Sequence, residues 1–92
     1  MRAELKVPQG KLLRVRFNID DSNIRDIRFT GDFFLHPEEA LKDLESALEG
    51  KPADMKILEQ EVVGFFERSR CTLVGIAPES FVTVIDLALK KG

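Results

Sequence analysis

The chain has 92 residues, 14 lysines and arginines against 16 aspartates and glutamates, and a net charge of −2; that size holds one hydrophobic core and no second, and the near balance excludes a strong field of one sign. Hydrophobic residues at 43% and charged residues at 33% exclude a disordered composition, and no apolar run approaches the ~18–20 residues of a membrane helix. The single cysteine, Cys71, excludes an internal disulfide framework or a cysteine-based zinc site and fits a reducing cytoplasm.

The opening Met1-Arg2-Ala3-Glu4 is charged, without the apolar stretch of a secretory signal. Glu4–Val7 is read as a first strand, ended by Pro8-Gln9-Gly10. Leu13, Val15, Phe17 and Ile19 then alternate with Arg14, Arg16 and Asn18, the period-2 pattern of a strand with one buried face. Asp20-Asp21-Ser22-Asn23 is a turn cluster, since short polar side chains bond their own backbone and tolerate positive φ. Ile27 and Phe29 resume the alternation against Asp26, Arg28 and Thr30, which makes the pair a hairpin.

Gly31-Asp32-Phe33-Phe34 follows as a bend. Two consecutive phenylalanines cannot share one face; core packing of both is the favoured reading, and an exposed one is a partner anchor.

The remainder reads as helical. Pro37 is placed at a first helical position, with Glu38 and Glu39 in the first turn and Ala40, Leu41, Leu44, Ala47 and Leu48 as the inward stripe. Gly50 and Pro52 end this helix. Asp54 caps a second helix with the stripe Leu58, Val62, Phe65 and Phe66. Pro78 opens a third, with Phe81, Val82, Ile85, Ala88 and Leu89 inward and Lys90-Lys91 at its end. Strands followed by helices predict an α+β fold: a small antiparallel sheet, hairpin plus N-terminal strand, packed on one face by about three helices. Residues 1–92 form one domain in this reading.

Charge is segregated along the chain. Residues 1–28 carry seven basic and four acidic residues, 29–67 three and ten, and 68–92 four and two. A bipolar small protein often meets a larger partner on one of its faces.

Parts for catalysis are few. His36, the one histidine, precedes Pro37 and reads as a surface or capping residue distant from Cys71. Cys71, flanked by Arg70, has no resolving partner and reads as a buried or half-buried thiol. Asp20 and Asp21 sit in a solvated turn, whereas catalytic carboxylate pairs need burial or confinement. Glu38, Glu39, Asp43, Glu45 and Glu49 have the spacing of a solvated helix face. No Walker or Rossmann glycine loop is present, and no metal site is expected. The outer hairpin face carries Arg14 and Arg16 across from Arg28 and Thr30, a cluster that asks for an anionic partner or for Asp26 and Asp32 nearby. Nucleic-acid readers want aromatics on such a face, and here Phe17 and Phe29 are assigned to the core.

In order along the chain, Lys6-Val7-Pro8, Gly10-Lys11-Leu12-Leu13-Arg14-Val15, Gly31–Phe34, Pro37–Glu39, Gly50 and Val74-Gly75-Ile76-Ala77-Pro78-Glu79-Ser80-Phe81 resemble the lipoate–protein ligase C-terminal, or accessory, domain. The pattern departs at Gln9, where glycine is expected before Gly10. The chain's extent resembles the two-chain arrangement, in which this domain is a separate small polypeptide.

The resemblance implies an accessory subunit that docks on a catalytic large subunit as a heterodimer. That complex uses ATP, Mg and lipoate to make lipoyl-AMP, then lipoylates lysines of 2-oxoacid dehydrogenase lipoyl domains and the glycine-cleavage H protein. The chain itself would carry no catalytic residue and bind no cofactor alone. The accessory domain is needed for adenylation and dispensable for transfer. Lys11, with Arg14 and Arg16, becomes a candidate for facing the adenylate phosphates; Arg28, Gly31, Asp32, Phe33 and Phe34 are candidates for docking. The alternatives are a protein-interaction module of another pathway, or a weak nucleic-acid binder using the basic hairpin face. No membrane partner is expected.

Overall fold

The computed structural model describes residues 1–8 and 11–91. Three strands, β1 (Arg2–Lys6), β2 (Leu12–Asp20) and β3 (Asn23–Gly31), form an antiparallel sheet in that order. Then come β4 (Phe34–His36), α1 (Glu39–Leu48), α2 (Met55–Arg68), β5 (Thr72–Val74) and α3 (Pro78–Lys91). The α+β expectation holds, including the N-terminal strand.

Alternation dictates the sheet's two faces. Ala3, Leu13, Val15, Phe17, Ile24, Ile27 and Phe29 are buried beneath the helices, while Arg14, Arg16 and Arg28 between them stay exposed and Arg25 is half-buried. A two-residue turn joins β2 to β3 with Asp21 and Ser22 both at positive φ, 54° and 66°, the backbone twist that matches a hairpin. Asp20 faces Asn23 across it.

One irregularity sets the phase of β3. Asn18 pairs with Arg25 but Arg16 pairs with Arg28, so Asp26 and Ile27 together oppose Phe17. Asp26, at φ 57°, is the extra residue of a β-bulge. Because of it Ile24 and Ile27, three apart, both reach the core and are 0% exposed.

β3 is an edge strand, and its outward backbone groups are covered. The Ile24 N–H donates to the Lys51 carbonyl at 2.8 Å, the Gly50 N–H donates to the Ile24 carbonyl at 2.8 Å, and the Ala53 N–H donates to the Ser22 carbonyl at 2.9 Å. Glu45 of α1 accepts from the Phe29 N–H at 2.8 Å, and Glu49, the helix's C-cap, from the Asp26 N–H at 2.9 Å. Edge strands left open template unwanted pairing; here a helix face and the 50–53 loop close one.

At the centre lies Phe81 on α3. It meets Phe29 edge-on at a ring separation of 5.0 Å, Phe33 edge-on at 5.5 Å, and Phe66 at 5.6 Å. These rings tie the sheet, the bend after β3 and α2 to α3, and each buried ring stabilises by roughly 1.5–3 kcal/mol over exposure. Asp54 caps α2, accepting from the Lys56 N–H at 2.9 Å, and Pro78 is the first residue of α3, both as expected.

Two expectations are corrected. Pro37 is not in the helix: α1 starts at Glu39, with Glu38 as N-cap. His36 ends a strand, so Pro37 turns the chain, its carbonyl accepting from the Ala40 N–H at 2.9 Å. The second correction is a two-stranded ribbon, β4 with β5, pairing Phe34 with Val74, Leu35 with Leu73 and His36 with Thr72. Three residues per strand are too few for a periodicity to declare them.

Candidate functional site

The outer face of the three-stranded sheet carries the side chains that alternate away from the core, and register sets them in rows. Arg2 faces Arg16, and Arg16 faces Arg28. One row along, Glu4 faces Arg14 and Arg14 faces Thr30. In the second row Arg14 Nε donates to Glu4 Oε1 at 3.2 Å, an exposed pair worth at most about 1 kcal/mol.

In the first row none of the three guanidiniums has a carboxylate within ion-pair distance among the described residues. Arg28 Nη1 instead donates to its own neighbour's carbonyl, Ile27, at 2.7 Å. The carboxylates beside it, Glu45 of α1 and the C-cap residue Glu49, are directed to β3 amides. The sequence reading placed Glu45 and Glu49 on a solvated face; Glu45 is buried, because the bulged edge strand needs acceptors there. Their four-residue spacing, one helical turn apart along the strand's length, was the available signal.

A groove of about 360 Å³ runs over these rows, lined chiefly by Arg2, Glu4, Arg14, Arg16, Arg28 and Lys91. Arg14, Arg16 and Arg28 are thus brought together as expected, and Arg2 and Lys91 join them. Lys11 is exposed and does not line this groove. It immediately precedes β2 at the strand's Leu12 end, its carbonyl accepting from the Val7 N–H at 2.9 Å, beside Leu12, whose carbonyl accepts from the Asp32 N–H at 2.8 Å. Gln9 and Gly10, in the break predicted after the first strand, lie outside the described residues.

The Gly31–Phe34 bend leaves the sheet at that same end. Gly31 has φ 151°, and a Cβ there would run into the Leu12 carbonyl oxygen, so glycine is required by conformation and by space. Gly75, at φ 102°, lies against the Asp32 carbonyl and Phe33, which brings the chain before α3 under the bend. The two phenylalanines part company: Phe33 turns inward onto Phe81, and Phe34 is 57% exposed. Core packing of both is therefore corrected, since β4 alternates and only Leu35 of its three residues is buried.

Phe34 stacks on His36, ring centroids 6.0 Å apart and planes within 6°. Across the ribbon Val74 is 55% exposed opposite Phe34, so the outer ribbon face presents a contiguous apolar patch. His36 is a surface residue, as read. It is not remote from Cys71, however, because its partner Thr72 adjoins that cysteine. The two point to opposite faces: Cys71 packs half-buried against the core. Asp20 and Asp21 are exposed at the hairpin tip.

No helix among the described residues is long and apolar enough to cross a membrane. Residues 2–85 match the family model described as bacterial lipoate protein ligase C-terminus. "Lipoate-protein ligase A subunit 2" of Thermoplasma acidophilum is 32% identical over 74 residues, covering 80% of this chain and 76% of the relative. A solved structure from the same organism, described as an archaeal lipoylation system with a bi-partite lipoate protein ligase and its E2 lipoyl domain, superposes with a TM-score of 0.80 at 27% identity, covering 92% of each chain. The ordered motifs, the matched residues and the shared fold establish that the chain belongs to the lipoate–protein ligase C-terminal domain family.

Proposed function

We propose that this chain is the accessory subunit of a two-chain lipoate–protein ligase, acting with a catalytic large subunit in ATP-dependent activation of lipoate to lipoyl-AMP. The observation that carries this reading is the likeness, over nearly the whole chain and in both sequence and fold, to a protein named as the second subunit of such a ligase. The surface suits the role. Phe34 and Val74 give an exposed apolar anchor on a ribbon held by Gly31 and Gly75, the kind of feature that supplies most of an interface's binding energy. A stable heterodimer buries on the order of 1,200–2,000 Å² in total.

The chain contributes by position. Docked through the ribbon patch and the Gly31–Phe34 bend, it orders the large subunit's adenylate-binding loop and aligns the ATP phosphates for attack by the lipoate carboxylate. Such alignment lowers the barrier only where a group reaches the phosphates or fixes one that does. Lys11, exposed at the bend's end of the sheet, precedes Leu12, whose carbonyl accepts from the Asp32 N–H of that bend.

The test is ATP- and lipoate-dependent pyrophosphate release by a cognate large subunit with and without this chain. Release only when both are present supports the reading. No stimulation of a large subunit that still transfers from preformed lipoyl-AMP overturns it and leaves an interaction domain of another pathway.

A further inference from the structure

Like charges set directly opposite on neighbouring strands destabilise a sheet, and Arg2, Arg16 and Arg28 are so placed twice over. The three side chains do not contribute to the core; all are exposed. The row therefore has no bonded counter-charge in the free chain among the described residues. Carboxylates lie nearby, Asp26, Glu38, Glu45 and Glu49 sharing a hollow with Arg28, but none is within ion-pair distance of the row. Glu4 is engaged by Arg14, Glu45 and Glu49 accept from β3 amides, and Asp26, which borders a small hollow with Arg2 and Arg16, makes no ion pair with either among the described residues.

The shape favours a small ligand. The groove over the row, about 360 Å³, falls within the roughly 300–1,000 Å³ of small-molecule sites. Its exposed side chains are guanidiniums, the Lys91 amine, the Glu4 carboxylate and the Thr30 hydroxyl, whereas the centre of a protein interface is depleted of charge. Three strands about 4.8 Å apart spread the guanidiniums over about 10 Å, a line of planar donors suited to successive phosphate groups.

We infer that the Arg2–Arg16–Arg28 row, with Lys91 and Thr30 at its margin, is a seat for a polyphosphate anion that this chain binds by itself. It rests on the ligase reading only for the source of that anion, the nucleotide triphosphate or the pyrophosphate released from it. Arg14 lines the same groove, and its exposed pairing with Glu4 makes it a lesser contributor to the seat.

Calorimetric titration of the full chain with inorganic tripolyphosphate and with pyrophosphate at low ionic strength tests the proposal. The expected result is saturable one-to-one binding that weakens about 10-fold or more in Arg16→Gln and about twofold or less in Lys56→Gln, an exposed cation of α2 outside the groove. Arg28→Gln provides a second variant should the first fail to fold, and amide shifts along β1, β2 and β3 locate the ligand. Absence of saturable binding, equal loss in Lys56→Gln, or equal competition by sulfate overturns the seat. So does an RNA oligonucleotide bound several-fold tighter than tripolyphosphate. Self-association lost in Arg16→Gln, without polyphosphate binding, overturns it in favour of contact with the acidic helices of a second copy. No large subunit enters these titrations, so their failure leaves the pyrophosphate-release result standing, and the reverse also holds.

Discussion

Glu45 on α1 accepts a 2.8 Å hydrogen bond from the backbone N–H of Phe29 on β3, in the buried seam between helix and sheet edge. The side chain stands where a fourth strand's carbonyl would otherwise be. Glu45→Ala leaves that amide without a partner and is expected to cost about 1–3 kcal/mol. Glu45→Gln keeps a carbonyl oxygen and should recover much of the loss. Urea denaturation of the three proteins checks this, and equal midpoints would assign the bond no role in stability.

Gly31→Ala is expected to be among the most damaging single changes. The backbone conformation alone costs a non-glycine residue about 1–3 kcal/mol, and the added carbon meets the Leu12 carbonyl. A thermal melt should fall by well over 5 °C, given roughly 4–8 °C per kcal/mol for a domain of this size. An unchanged melt would mean the hairpin's base can open without harm.

Phe34→Ser separates folding from assembly. The ring is 57% exposed, so free-chain stability should move by no more than about 0.5 kcal/mol. Affinity for a cognate large subunit should fall by about 2 kcal/mol, near 30-fold. Unchanged affinity by calorimetry would remove the ribbon patch from the interface.

Lys11→Ala should leave that affinity intact while slowing pyrophosphate release on the order of 10²-fold, the scale of losing one charge-stabilising donor. Transfer from preformed lipoyl-AMP should be unaffected. Full-speed release in the variant would take Lys11 out of the mechanism.

The parts legible in the sequence are those written in a repeating pattern. Leu13, Val15, Phe17 and Phe29 declare the sheet's inner face, and Leu58, Val62 and Phe65 declare α2, because burial on one face imposes a period on the chain. The cross-strand meeting of Arg16 with Arg28 needs the bulge as well, since the two-residue turn alone would set Arg16 opposite Ile27. Phe34 resisted because its ribbon spans three residues and its partner Val74 lies 40 positions away. Arg2 resisted too, since a first strand read from Glu4 to Val7 does not reach it. Glu45 looked solvated because nothing local says that the strand it caps has no neighbour on that side.

Asp26 reads as one more surface charge, yet its contribution is to timing along the strand. Without the bulge, a regular β3 that keeps Ile27 and Phe29 inward would turn Arg25 toward the core and Ile24 toward water. The strand is written in two reading frames, and the bulge is where one is exchanged for the other. What the position demands is a left-handed backbone rather than a carboxylate. Asparagine or glycine preserves the frame and a β-branched residue strains it, while deletion removes the extra residue and leaves Ile24 and Ile27 on one face of a regular strand.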